Sequence, residues 1–244
     1  GTVLTTGIRN VAVGFQALLT DTKGQRSVAI GHNALSVQNF TTATNSFNTA
    51  VGHEAGASIT TGVQNTFIGA LSGDALTDAD FNVAVGTHAL SSDTLGSNST
   101  AIGHATLFSQ NNTTATNTNN TAVGFQAGNA VTTGINNTLI GSEAGEALTD
   151  ADFNVAVGQF AIHQDTLGSK STAVGYAALN AQNFTTATDT FNTAVGHFAG
   201  LSNTTGTYNT FIGAEAGEAN TTGANNTAVG ALALESTTEG TNNT

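Results

Sequence analysis

The chain has no cysteine, proline, methionine or tryptophan, and only 8% of its 244 residues are charged. Without cysteine there are no disulfides and no thiolate metal centres. So little charge excludes a coiled coil and most helical repeats, whose outer faces are charged. A hydrophobic fraction of 39% also sets the chain apart from charge-driven disorder. The basic residues are Arg9, Lys23, Arg26 and Lys170, against 16 acidic ones, for a net charge of -12. Nucleic-acid binding needs clustered Lys and Arg to neutralise phosphates, and an anionic membrane surface makes the same demand. Neither partner fits this chain. No apolar run approaches the ~18 residues of a membrane-spanning helix. There is no signal peptide and no initiator Met, so the sequence reads as a mature form or a fragment.

What the chain has instead is threonine, 44 residues, with 29 glycines and 27 asparagines. They fall into a pattern. The stretch Ser27–Gly31, "SVAIG", recurs in close variants such as "NTAVG", "NVAVG" and "NTFIG". Its glycines are Gly14, Gly31, Gly52, Gly69, Gly86, Gly103, Gly124, Gly141, Gly158, Gly175, Gly196, Gly213 and Gly230. Successive spacings are 17 residues, except that Gly31–Gly52, Gly103–Gly124 and Gly175–Gly196 are 21 apart. Three units of 17 and one of 21 make a super-repeat of 72, and residues 27–98, 99–170 and 171–242 align without a gap. Seventeen residues are too few for a two-helix repeat. They suit one coil of an all-β parallel β-roll or β-solenoid, with short strands and turns, each coil about 4.8 Å from the next. The expected architecture is a single continuous solenoid over residues 1–244, with about 13 coils and a length of roughly 60 Å at that spacing.

Each motif reads as a strand. The residue before the glycine is always β-branched: Val13, Ile30, Val51, Ile68, Val85, Ile102, Val123, Ile140, Val157, Val174, Val195, Ile212 and Val229. Two residues earlier stands Val or Thr, on the same face because side chains alternate along a strand. By size and β-propensity this face is expected to line the interior. The middle position, on the other face, is Ala in ten copies, such as Ala29 and Ala50, and Phe67, Leu139 and Phe211 in the rest. It never carries a charge or a glutamine. A strand that is apolar on both faces is normally covered on both, so this second face is the candidate inter-chain surface, most simply against another copy of the chain.

Other positions follow the same period. Four residues after the glycine, Leu or Ile (Leu35, Leu90, Leu107, Ile162) alternates in pairs with Gly (Gly56, Gly73, Gly128, Gly145). Asn opens ten of the thirteen motifs, which predicts a ladder of stacked Asn side chains. The 21-residue coils contain "NFTTATNSF", "NNTTATNTN" and "NFTTATDTF". Their flanking pairs, Phe40/Phe47, Asn112/Asn119 and Phe184/Phe191, switch together, which suggests mutual contact closing a small loop. Such loops are candidate contact points once per super-repeat.

Groups for chemistry are sparse. His32 and His104 correspond to Tyr176, and His53 and His197 to Phe125, so these positions ask for a flat ring rather than a metal ligand. The "TDAD" turns at Thr77–Asp80 and Thr149–Asp152 read as solvated acidic turns; two Asp per coil is a thin Ca²⁺ ligand set. No nucleophile–base pair and no phosphate-binding glycine loop stand out, so no catalytic residue, metal site or cofactor is assigned. Sequons at Asn98, Asn119, Asn136 and Asn225 arise from Asn and Thr abundance and matter only in a eukaryotic secretory pathway. Atypical capping repeats are missing at both ends, which reads as part of a longer array.

"SVAIG" followed by a small-residue turn resembles the head-domain repeats of trimeric autotransporter adhesins, best at Ser27–Gly31, Ser99–Gly103 and Ser171–Gly175. It is similar also to repeats in phage tail fibres. The resemblance implies a left-handed roll, a homotrimer, an extracellular, cell-surface or virion-surface location, and binding to a surface receptor or glycan. The adhesin repeat is typically shorter than 17, and that family's neck, stalk and anchor are not in this sequence. The expected function is a non-enzymatic structural or adhesive fibre segment. The alternatives are an ice-binding Thr-rich solenoid and a self-assembling extracellular filament subunit.

Overall fold

The computed structural model describes residues 4–244, and every regular element in it is a β-strand. The chain forms a parallel β-solenoid of about 13 coils. It packs as two compact units, Gly1–Asn120 and Thr121–Thr244. The first holds β1 (Val11–Val13), β2 (Gly24–Gln25), β3 (Val28–Ile30), β4 (Thr44–Asn45), β5 (Thr49–Val51), β6 (Thr66–Ile68), β7 (Val83–Val85), β8 (Gly96–Ser97), β9 (Thr100–Ile102) and β10 (Thr116–Asn117). The second holds β11 (Thr121–Val123), β12 (Thr138–Ile140), β13 (Val155–Val157), β14 (Gly168–Ser169), β15 (Thr172–Val174), β16 (Thr188–Asp189), β17 (Thr193–Val195), β18 (Thr210–Ile212) and β19 (Thr227–Val229).

The three-residue strands are the repeated motifs, and they stack in parallel with equivalent positions in register. Val28, Ala29 and Ile30 face Thr49, Ala50 and Val51; Thr138, Leu139 and Ile140 face Val155, Ala156 and Val157. Each strand ends on a motif glycine. Gly31 has φ +139, where only glycine sits without strain. A Cβ there would also run into the carbonyl of Gly52 in the next coil. The glycine is therefore demanded twice, by its own backbone and by its neighbour's.

Each 21-residue coil spends its extra residues on a second, short parallel pairing. β4 lies beside β2, β10 beside β8, and β16 beside β14. The tips at residues 41–43, 113–115 and 185–187 are exposed.

The faces of the motif strand are the reverse of the expectation from size. Ala29, Ala50, Phe67, Leu139 and Phe211 are buried inside the single chain, so they are not an inter-chain surface. The β-branched column points outward: Ile30 is 38% exposed, Ile68 41% and Val13 57%. Asparagine sets the parity. Asn65 and Asn82 share a face with the middle residue and are fully buried, because their side chains must reach backbone groups of the next coil. The middle residue then points inward with them, and Val and Ile are left outside. The interior is filled by Leu35, Leu90 and their equivalents four residues after the glycine.

The large–small alternation now has a cause. Gly56 and Gly73 lie against opposite edges of the Phe67 ring, and a Cβ at either would strike it. Gly200 and Gly217 flank Phe211 in the same way, and Gly145 packs on Leu139. One large strand residue displaces two leucines from adjacent coils.

Candidate functional site: ladders, an exposed apolar face and clustered ligands

The Asn ladder forms as the sequence suggests. Asn48 Oδ1 accepts from the backbone N–H of Asn65, Asn65 Oδ1 from that of Asn82, and Asn82 Oδ1 from that of Ser99, at 2.8–2.9 Å. Each Nδ2 donates to a carbonyl fourteen residues on: Asn48 to Gly62, Asn65 to Ala79, Asn82 to Gly96. The second unit repeats this through Asn154, Asn192, Asn209 and Asn226.

The ladder is interrupted wherever Ser opens a 21-residue coil, and a buried polar relay bridges the interruption. Asp21 Oδ1 accepts from the N–H groups of Gly24 (2.9 Å) and Phe40 (3.2 Å), while Oδ2 accepts from Gln38 Nε2 (2.7 Å). Gln38 Oε1 then accepts from Asn48 Nδ2 (2.8 Å), which restarts the ladder. The Ser27 and Ser46 hydroxyls are 2.6 Å apart. Asp93–Gln110–Asn120 and Asp165–Gln182–Asn192 are further copies, and all three Asp are fully buried. Sequence reasoning missed this relay. Its signal was present: Asp21, Asp93 and Asp165, and Gln38, Gln110 and Gln182, each recur at 72 residues.

Phe40 and Phe47 do not close a loop on each other. Phe40 is buried, whereas Phe47 is 46% exposed under the Arg26 guanidinium, 5.4 Å from the ring centre. Phe184 is likewise buried, and Phe191 lies outside beneath Lys170 at 5.3 Å. Asn112 is buried too, like Phe40 and Phe184, and Asn119 is exposed, like Phe47 and Phe191. The outer residue follows the cation on the adjacent coil: Arg26/Phe47 and Lys170/Phe191, against Asn98/Asn119.

Exposed rings form columns after the motif glycine. Phe15, His32 and His53 stack at 5.5 and 5.1 Å, and Tyr176 stacks on His197 at 5.4 Å. The flat-ring reading of these histidines fits that stacking. The "TDAD" carboxylates bond to the preceding coil: Asp80 accepts from the Val63 N–H, and Asp78 from the Thr61 hydroxyl. Asp74 differs. Burial pushes its carboxyl above the ordinary range, against a lowering hydrogen bond from Ser91. A raised folded pKa favours the protonated form, so this contribution to stability is lost as pH rises through it. Asp74→Asn should therefore raise the melting temperature at pH 7, with the gain disappearing near pH 3. Melts at both pH values check this.

Two kinds of surface remain without an assigned role. One is the outward column of Val and Ile beside Thr49, Thr66, Thr100 and their equivalents. The other is three groups of clustered ligands: His32/His53/Glu54, Glu143/Glu146/His163 and Glu215/Glu218/Glu235. Among the described residues there is no concave pocket. Comparison with protein-family models, curated proteins and solved structures finds no match to this chain.

Proposed function

We propose that this chain is a non-enzymatic structural and adhesive segment of an extracellular fibre, and that it works as a homotrimer joined through the outward face of its motif strands. The β-solenoid fold is compatible with such a role. The single observation that carries the proposal is the exposed β-branched column. Ile30, Ile68 and Ile102 in the first unit, and Ile140 and Ile212 in the second, are each about two-fifths exposed along a stack of short strands. Monomeric proteins rarely leave a contiguous apolar patch of this kind uncovered. A second copy offers the same in-register column, so the surfaces match without further design. The resemblance of "SVAIG" to adhesin heads points to the same assembly.

The test is solution mass. A value near 73 kDa, three times the 24.3 kDa chain, is expected. Ile30→Lys, Ile68→Lys and Ile102→Lys together should return the mass to that of a monomer while the β-sheet circular dichroism persists. A monomeric parent chain overturns the proposal.

A second reading draws on the same face. Thr49, Thr66 and Thr100 stand beside Val51, Ile68 and Ile102 in a Thr–x–Val/Ile array that Val83 interrupts between Thr66 and Thr100, a Thr-bearing surface of the kind an ice-binding solenoid would present. Thermal hysteresis of the purified chain decides it: a trimer that buries this face should show none.

A further inference from the structure

We propose that Glu143, Glu146 and His163 form a binding site for a divalent transition-metal ion of the zinc class. Glu143 and Glu146 follow Gly141 by two and five residues. His163 follows Gly158 by five, so it stands beside Glu146 on the adjacent coil. One ligand atom from each lies within 4.8 Å of the others. His163 Nδ1 is 3.3 Å from Glu146 Oε2. Bonds of about 2.0–2.2 Å to a tetrahedral ion place neighbouring ligand atoms roughly 3.3–3.6 Å apart, and the His163 Nδ1–Glu146 Oε2 pair has that separation.

A second observation points to a ligand. The Nδ1 atom is shielded from solvent and has no hydrogen-bond partner, although Glu146 Oε2 lies 3.3 Å away. A shielded imidazole nitrogen beside the Glu146 carboxylate, with no hydrogen bond of its own, is a ready ligand atom. The side chains of His163 and Glu146 are only 25% and 31% exposed. The ring is held edge-on to Phe160 at 5.3 Å. Coil-to-coil bonds fix the backbones: the Glu143 N–H donates to the Phe125 carbonyl, and the Glu146 and His163 carbonyls accept from Ala130 and Ala147. Three donors are therefore already placed, and a bound tetrahedral ion would complete its shell with water.

The donor set selects the ion. A neutral imidazole with carboxylates suits zinc, cobalt or nickel, whereas Ca²⁺ takes oxygen ligands alone. The super-repeat supplies internal comparisons. In the preceding copy the same positions are Leu71, Asp74 and Ser91, and Ser91 closes the arrangement by donating to Asp74 at 2.6 Å. In the following copy they are Glu215, Glu218 and Glu235, an all-oxygen set. Only the middle copy combines the carboxylates with nitrogen.

The test uses the whole chain stripped of metal. Titration with Zn²⁺ by calorimetry, and with Co²⁺ by visible absorption, should show saturable binding at micromolar concentrations with a nitrogen-containing coordination band. His163→Ser, the residue of the preceding copy, should abolish that band and weaken Zn²⁺ binding on the order of tenfold or more. Glu146→Gln should do the same. Glu218→Gln with Glu235→Gln should leave the band unchanged. Circular dichroism melts confirm that each variant is folded. No saturable binding to the parent at millimolar Zn²⁺ overturns the site, as does an unchanged band and affinity in His163→Ser.

Discussion

Phe67→Ala should cost about 3–5 kcal/mol, as expected for a fully buried aromatic truncated in a packed interior. The distinctive result is the repair. Gly56→Leu or Gly73→Leu alone should also destabilise, because either side chain drives into the Phe67 ring. Combined as Phe67→Ala with both leucines, the changes recreate the interior already used around Ala29, where Leu18 and Leu35 fill the space. The triple variant should therefore be well above the sum of the single losses, with a favourable coupling of more than about 1 kcal/mol. Full recovery is not expected. Leucine at these positions adopts the left-handed region, as Leu35 does at φ 49, at a cost of about 1–2 kcal/mol per residue. Thermal unfolding followed by circular dichroism measures all four proteins. Additive losses would refute the exchange of one ring for two leucines.

Asp93→Ala should be the most damaging single polar substitution. It strands three buried donors at once: the N–H groups of Gly96 and Asn112, and Gln110 Nε2. Each orphaned donor costs about 1–3 kcal/mol, so a total loss beyond about 3 kcal/mol is expected. Asp93→Asn keeps one acceptor oxygen for the two backbone groups but turns an amide NH₂ towards Gln110. Gln110 can flip to meet it only by presenting its own NH₂ to Asn120, so the mismatch moves along the relay. That variant should lose about 1–3 kcal/mol. Hydrogen exchange gives a local readout: the amides of Gly96 and Asn112 should lose protection in Asp93→Ala. Unchanged melting and protection would show that water replaces the carboxylate, contrary to its complete burial.

The distinction between the two Asp types shows how much was legible beforehand. Asp78 and Asp80 stood out as a solvated acidic turn; Asp78 is exposed there, but Asp80 is part-buried and accepts from the Val63 N–H of the preceding coil. Asp21, Asp93 and Asp165 were equally periodic, but they lie in "DTKG" and "DTLG" stretches that look like irregular versions of the Thr-Thr-Gly stretches at Thr60–Gly62, Thr132–Gly134 and Thr204–Gly206. Polar residues at a turn read as solvated, and nothing local marks one as buried. The partner that makes burial tolerable, Gln38, Gln110 or Gln182, lies seventeen residues on, in the next coil. The inner and outer Phe pairs illustrate the same limit. Their joint switching was visible, but the true partner of Phe47 is Arg26 on the adjacent coil rather than the residue seven positions back.

By itself the sequence determined the repeat, its 17- and 21-residue coils, the parallel strands, the need for glycine at each motif end, and the Asn ladder. These follow because period, β-branching and backbone freedom are written in the chain itself, and a strict repeat stacks each residue on its own equivalent in the next coil. Only the tertiary structure decided which way each strand faces. Residue size argued for Val and Ile inside; the buried Asn side chains, bonded to the backbone of the next coil, turned the small residue inward instead. The strand alternation is strict, so that one choice of parity moved the whole β-branched column to the surface and changed which face a partner would meet.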